Sequence, residues 1–516
     1  MTESLLSAIQ LSRRRFLAAT MAGGAALTAC GRPDNGAGVV VGDFDPIAAA
    51  EAARPHSGKS VSANLVAAQT DIDLGGTVAR TLAYNDQVPG PLIRAAVGDE
   101  LAATVVNGLA HPSSVHWHGI ALRNDMDGAA PATPNIGPAG QFTYRFTSPY
   151  PGTHWAHPHT GLDADYGLYL PVIIDDPAEP GGYDAEWIVM LDDWTAGVGS
   201  SPQQIYDALR AMTASGEAST MPGMHPTPTP GSRRMPTVPG VGGVGPSNLL
   251  GGDAGDVSYP YYLINGRIAA APTTFSAKPG QRVRIRIINA ASDNAFRVAL
   301  AGHTMTVTHT DGFPIVPTQV DAVLLGMGER YDVVVTAGDG VFPLVAAAEG
   351  KNAVARALLS TGAGSAPEPG FRPSEFNGRV GTVDMFTATP EVGLPLTNID
   401  TALTAQLSGT MMPYDWMING RPYSDTTPLR IQQGQTATLT FTNATMMWHP
   451  MHLHGHTFQV IKPDGSPGCR KDTVIVLPMT SVTVRLVADN PGIWILHCHN
   501  TYHQEAGMMT SLNYRS

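Results

Sequence analysis

The sequence predicts an all-β chain built from three related Greek-key β-sandwich domains. The strongest sign is an internal repeat. Gly98-Asp99-Glu100 leads through an alternating segment to Asn107, Gly280-Gln281-Arg282 to Asn289, and Gly434-Gln435-Thr436 to Asn443. Each copy combines a turn glycine, a strand of period-two alternation and an asparagine nine residues beyond the glycine. Upstream of the second and third copies, Asn265-Gly266 and Asn419-Gly420 are hairpin-turn dipeptides. The chain length of 516 residues suits about three domains at roughly 150 residues each. Its 56 glycines and 42 prolines favour turns and short strands over long helices. Hydrophobic residues, at 43%, are ample for sandwich cores.

The chain divides in order. Residues 1–29 are expected to be an export signal. Ser12-Arg13-Arg14-Arg15-Phe16-Leu17 resembles the twin-arginine signal, and the apolar run Phe16 to Ala29 is too short to span a bilayer. The run ends in Leu27-Thr28-Ala29-Cys30, which resembles a bacterial lipobox with Cys30 as the lipidated first residue. An ordinary signal cleavage near Ala29 is the alternative. Residues 30–58, rich in Gly, Ala and Pro, read as a tether. The sandwiches would follow at 59–180, 181–372 and 373–516. The middle one carries a Met/Pro/Gly-rich loop, 211–255, readable as a disordered surface loop or as a soft-ligand patch for Cu(I). No later apolar stretch is long enough to cross a membrane. A monomer in the periplasm or cell envelope is therefore expected, touching the membrane only through Cys30.

A formal net charge of −12 leaves no basic stripe for phosphates, which excludes a nucleic-acid partner, and an acidic surface suits metal cations. Three cysteines cannot form a disulfide scaffold. Cys469, in a Gly-Ser-Pro-Gly loop, reads as an incidental thiol. Cys498 lies between two histidines.

Ten of the 17 histidines fall into four groups: His116 and His118; His157 and His159; His449, His452 and His454; and His497, His499 and His503. The repeat separates ligands from core residues. Aligning the third copy with the second replaces His449, His452 and His454 by Phe296, Ala299 and Ala301, while His456 matches His303. A structural histidine should recur in both copies, and a ligand only where metal binds. The middle domain thus reads as a metal-free spacer, and His303 and His456 as core or hydrogen-bonding residues. In a strand, residues i and i+2 share a face and i+1 takes the other. His497 and His499 can therefore serve one metal centre while Cys498 serves a second, with a short peptide path for electrons between them. Cys498, two imidazoles and the thioether of Met508 would make a type 1 blue-copper set. Core packing or zinc could explain one group, but not all four.

On these motifs the chain, from about residue 60 to its end, resembles the multicopper oxidase family, which includes laccases and bacterial copper-tolerance oxidases. The resemblance implies three cupredoxin-like domains and four copper ions: one type 1, one type 2 and two type 3. It implies that His449, Cys498, His503 and Met508 hold the type 1 ion, and that His116 and His452 hold type 2. His118, His157, His159, His454, His497 and His499 would hold the type 3 pair. Four of the trinuclear ligands then come from the first domain and four from the last, so those domains should meet. Asp127 stands where relatives carry a carboxylate for proton delivery. Gln504 replaces a glutamate that close bacterial relatives carry there, so either Glu505 substitutes or that relay branch is weaker. His154 reads as a neighbour of the ligands, and His56, His111, His225 and His309 carry no metal-ligand spacing.

The implied reaction is one-electron oxidation of a reducing substrate coupled to four-electron reduction of O2 to water. Phenols, aromatic amines, Fe(II) and Cu(I) are candidate substrates. The methionines at 126, 411, 412, 446, 447, 508 and 509 favour Cu(I), unless they merely fill core gaps. A surface depression lined by Met446, Met447 and Trp448 should give access to the type 1 site. Two other classes compete. A non-enzymatic copper-binding or envelope-assembly protein would have lost cluster ligands that this chain keeps. A copper nitrite reductase would lack the trinuclear set.

Overall fold

The computed structural model describes residues 45–179, 182–212, 238–395 and 398–515. The export signal, Cys30 and most of the Met-rich stretch lie outside the described residues. Each repeat strand sits inside a sheet in the same setting. Glu100–Asn107 runs parallel to Ser60–Asp73 and antiparallel to Gln141–Thr147. Arg282–Asn289 has the same relation to Ala185–Trp194 and Arg330–Thr336. Thr436–Asn443 has it to Thr401–Met411 and Ser481–Val487. Six principal sheets, of four and four, seven and six, and six and five strands, provide two layers for each of three cupredoxin-like sandwiches.

The structure supplies the reason for the recurring asparagine. The Asn107 side chain donates to the carbonyls of His111 and Ile136 and accepts from Leu109 N. Asn289 does the same toward Asn294 O, Leu325 O and Ala291 N, and Asn443 toward Met447 O, Val476 O and Thr445 N. One amide thus satisfies three buried backbone groups in the loop after each repeat strand. The Asn-Gly hairpins have both central residues at positive φ, +52° and +72° at Asn265-Gly266 and +54° and +71° at Asn419-Gly420, as a type I′ turn requires. A third copy, Asn85-Asp86 at +53° and +56°, closes the equivalent hairpin of the first sandwich. It escaped the sequence pattern because aspartate stands in place of glycine.

Three expectations about boundaries are corrected. The tether does not extend to residue 58. Pro46–Ala52 is a helix capped by Asp45, and Arg54 anchors it by donating to Ala121 O and to Asn490 Oδ1. The middle sandwich does not end at 372, because Val380–Gly381 pairs with Ala322–Val323 at the edge of its sheet. The loop 211–255 is not wholly irregular. Pro246–Ser247 and Gly252–Asp253 form a small hairpin whose Asp253 bridges to Met447 of the third sandwich.

Candidate metal centres

Strand parity distributes the donors. On His449–Leu453, His452 and the following His454 share one face and His449 takes the other. On Ile493–Cys498 the adjacent strand pairs His452 with His497 and Met451 with Cys498. His497 and His499 therefore join His452 and His454 on one side, while Cys498 joins His449 on the other. Across the interface, His116–His118 pairs with Gly152–His157 and brings in the four histidines of the first sandwich.

On the cysteine side, Cys498 Sγ lies 3.6 Å from His449 Nδ1 and 3.7 Å from His503 Nδ1, and the two nitrogens are 3.1 Å apart. The outer nitrogens are engaged, His449 Nε2 with Thr445 Oγ1 at 2.8 Å and His503 Nε2 with Asp256 Oδ2 at 3.0 Å. Asp256 comes from the middle sandwich and also accepts from Tyr414 Oη at 2.6 Å. Met508 is buried beside the cysteine, its carbonyl accepting from Cys498 N. The Trp416 ring packs 4.1 Å from that of His503. Burial pushes the Cys498 thiol far above its ordinary value, so a metal must displace a proton to bind there.

The residues expected to line an open depression over this centre are mostly buried among the described residues. His449 and His503 are both 0% exposed, Met447 and Trp448 are buried, and only Met446 reaches solvent. The segment after the Met-rich stretch covers them, with Ala254 O accepting from Trp448 Nε1 and Asp256 closing on His503.

On the other side, eight imidazoles converge in three sets. His116 Nε2 faces His452 Nε2 at 3.4 Å. His497 Nε2 lies 3.4 Å from His159 Nε2 and 3.2 Å from His454 Nε2. His118 Nδ1 faces His499 Nε2 at 3.2 Å, with the unpartnered His157 Nε2 nearby. The outer nitrogens of His116, His157, His452 and His497 donate to the carbonyls of Asp127, Pro158, Asp472 and Cys498. A neutral imidazole has one N–H, so each of these rings turns a lone pair inward. Burial, with neighbouring histidines next in weight, holds His454, His497 and His499 far below the ordinary histidine value, so protons do not bridge the gap. Lone pairs this close repel unless a cation lies between them. Neutral imidazoles converging inward suit copper, and the trigonal two-histidine, one-cysteine set on the other face suits it specifically.

Asp127, fully buried, holds two of these rings by different groups: its carboxylate Oδ2 takes the His454 Nδ1 proton at 2.9 Å, and its backbone carbonyl takes that of His116 at 3.0 Å. Glu505 accepts from the Gln504 amide at 3.4 Å and makes no hydrogen bond to the eight imidazoles among the described residues. Burial raises its carboxyl. His154 is buried with both ring nitrogens unpartnered, near Arg330 and Asp472, and burial drives it down to about 3. His303 and His456 both donate from Nδ1 to the carbonyl two residues earlier, at 2.8 and 3.1 Å.

Asp472 and Arg330 belong to no motif or repeat and emerge only from the structure. Asp472 Oδ1 holds His118 Nε2 at 3.1 Å while both its oxygens take the Arg330 guanidinium at 2.7 and 2.6 Å. Burial alone would raise Asp472, but Arg330 outweighs it and keeps the carboxylate ionised. The middle sandwich therefore positions histidines of both others. Gly119 and Gly328 permit this approach: a Cβ on Gly119 would sit 2.2 Å from the guanidinium, and one on Gly328 would sit 2.9 Å from both His118 and His499.

Residues 66–179, 185–364 and 397–516 each match a family model described as multicopper oxidase. The chain is 62% identical to the multicopper oxidase MmcO of Mycobacterium tuberculosis, over 98% of this chain and 97% of that one. It is 27% identical to copper resistance protein A of Escherichia coli, over 86% and 91%. The laccase of Botrytis aclada superposes with a TM-score of 0.69 at 23% identity, over 91% of this chain and 90% of its own.

Proposed function

This chain belongs to the multicopper oxidase family, and from that premise we propose that it oxidises Cu(I), and also Fe(II), phenols and aromatic amines, while reducing O2 to water, with a role in copper tolerance. The observation that carries this is the pairing of faces: Cys498 lies within 3.7 Å of two imidazoles while its neighbours His497 and His499 belong to the eight-histidine set. His449, Cys498, His503 and Met508 would hold a type 1 copper, His116 and His452 a type 2, and the other six histidines a type 3 pair. Bound copper would supply one-electron acceptance at the first centre and reduction of O2 at the second.

The protein's own contribution is to position, insulate and connect. The Cys498 carbonyl accepts from His497 Nδ1 at 2.9 Å, which adds a hydrogen-bonded path to the covalent one between the faces. Asp256 orients His503, and its negative charge beside the buried ring favours the oxidised, more positive state of that centre. Exposed Met446 and Met412, at 73% and 54%, are thioethers that a solvent-borne Cu(I) can meet. Names of relatives such as copper resistance protein A support the same leaning. Oxygen uptake compared side by side with Cu(I), Fe(II) and a dimethoxyphenol should be fastest with Cu(I). No uptake with any of them would refute the oxidase reading.

Export by the twin-arginine route and lipid anchoring at Cys30, to the periplasm or cell envelope and as a monomer, complete the proposal. Arg13 and Arg14 preceding a weakly apolar run support it. Changing both arginines to Lys should leave the precursor in the cytoplasm, and Cys30→Ala should release the protein from the membrane fraction. Unchanged fractionation of either variant contradicts the corresponding half.

A further inference from the structure

Reducing one O2 to two waters consumes four protons with four electrons, and the buried, neutral imidazoles have none to spare. We propose that His111 and Asp163 form a proton-delivery pair at the solvent edge of the eight-histidine centre, a role that rests on the oxidase reading above.

His111 is half-exposed, and its Nε2 lies 2.8 Å from Oδ1 of the buried Asp163. The other carboxylate oxygen takes Ser113 Oγ and Thr160 Oγ1, each at 3.3 Å. The residues that carry these hydroxyls adjoin the cluster along the chain. Thr160 follows His159 directly, and Ser114, next to Ser113, accepts from His159 N at 2.9 Å. His159 is also the one ligand of the eight that is not fully buried. The pair thus runs from bulk water to the edge of the cluster nearest solvent.

Packing does not explain these residues. The repeat asparagine Asn107 pins the His111 carbonyl, but the fourth residue past the asparagine is Asp293 in the second copy and Met447 in the third. The fold therefore accepts other side chains there. Burial pushes Asp163 up from the usual carboxylate range, opposed by His111 and the two hydroxyls. Glu505 and Tyr84 also face it, and burial first, with the charge of Asp163 adding to it, raises both.

Each transfer breaks and forms only N–H and O–H bonds. His111 passes its Nε2 proton to Asp163 Oδ1 while Nδ1 takes one from bulk water. Rotation of the carboxyl group turns the proton to the Thr160 hydroxyl, which passes its own to the product water forming beside His159, where the new O–H bond replaces the one broken. Electrons reaching the centre from the substrate balance the charge.

The test is reoxidation of fully reduced holoenzyme by O2, followed across pH for wild type, His111→Gln, Asp163→Asn and Asp163→Glu. His111→Gln is half-exposed and leaves the core untouched, so it reports even if Asp163→Asn fails to fold. Both relay-breaking variants should keep the blue absorption and copper content. Their reoxidation should slow on the order of 10²-fold, the low end for a positioned acid–base group, with the loss concentrated at high pH where bulk protons are scarce. Asp163→Glu should recover the wild-type profile. The infrared carbonyl band of a protonated carboxyl should vanish in Asp163→Asn. Profiles superimposable on wild type, or slowing equal at every pH, would overturn the proposal. A wild type that consumes no O2 at all would instead overturn the oxidase reading.

Discussion

Cys498→Ser should abolish the intense blue thiolate-to-copper absorption and reduce oxidase activity to background, while the eight histidines still bind copper. Among the described residues the cysteine Sγ is the soft donor between His449 and His503, at 3.6 and 3.7 Å, and a serine hydroxyl is a hard ligand that leaves the site poorly matched to copper. The residue is fully buried. An unsatisfied hydroxyl there costs about 1–3 kcal/mol, which a domain stable by roughly 5–15 kcal/mol tolerates. The fold and the eight-histidine cluster should therefore survive. Absorption spectroscopy, copper analysis and oxygen uptake on the same preparation check this. A serine variant that stays blue contradicts the assignment of the first centre.

The second large effect is expected at Asp127. The family resemblance implied a proton donor there, and the geometry adds an orienting role, because the carboxylate takes the His454 Nδ1 proton at 2.9 Å. In Asp127→Asn one acceptor becomes an N–H₂ donor directed at a ring N–H, so one imidazole loses its partner or turns. Removing such an outer partner typically costs about 10–100-fold in metal affinity, and losing positioned acid–base help about 10²- to 10⁴-fold in rate. The variant should stay blue, because Cys498 is on the other face, and its reoxidation by O2 should slow by about 10²-fold or more. Retained copper with slow, pH-shifted reoxidation identifies proton delivery, whereas copper lost from the set that contains His454 identifies orientation. Wild-type rates with full copper occupancy would remove Asp127 from both roles. Gln504→Glu in the same experiment should speed reoxidation if proton supply limits it, and slower reoxidation would mark the glutamine as an adaptation of this enzyme.

The sequence by itself determined what is local and periodic. Period-two alternation put His497 and His499 on one face and Cys498 on the other, and the repeat set His303 and His456 apart from His449, His452 and His454. It could not show what the recurring asparagine does, because its partners are backbone carbonyls that any residue can supply. Nor could it recognise Asn85-Asp86 as the third hairpin, since positive φ is a conformation that aspartate only sometimes adopts. Only the tertiary structure decided which groups stand behind the ligands. Asp472, Arg330 and Asp256 hold His118, His452 and His503 from strands and loops remote in sequence, and two of the three come from the middle sandwich. It also decided that the first centre is roofed by residues 252–257, and that residues 45–58 dock against the first and third sandwiches. Spacing along a strand is fixed by the backbone and is written in the chain, whereas a second layer of contacts depends on how three sandwiches pack, and no local pattern encodes that.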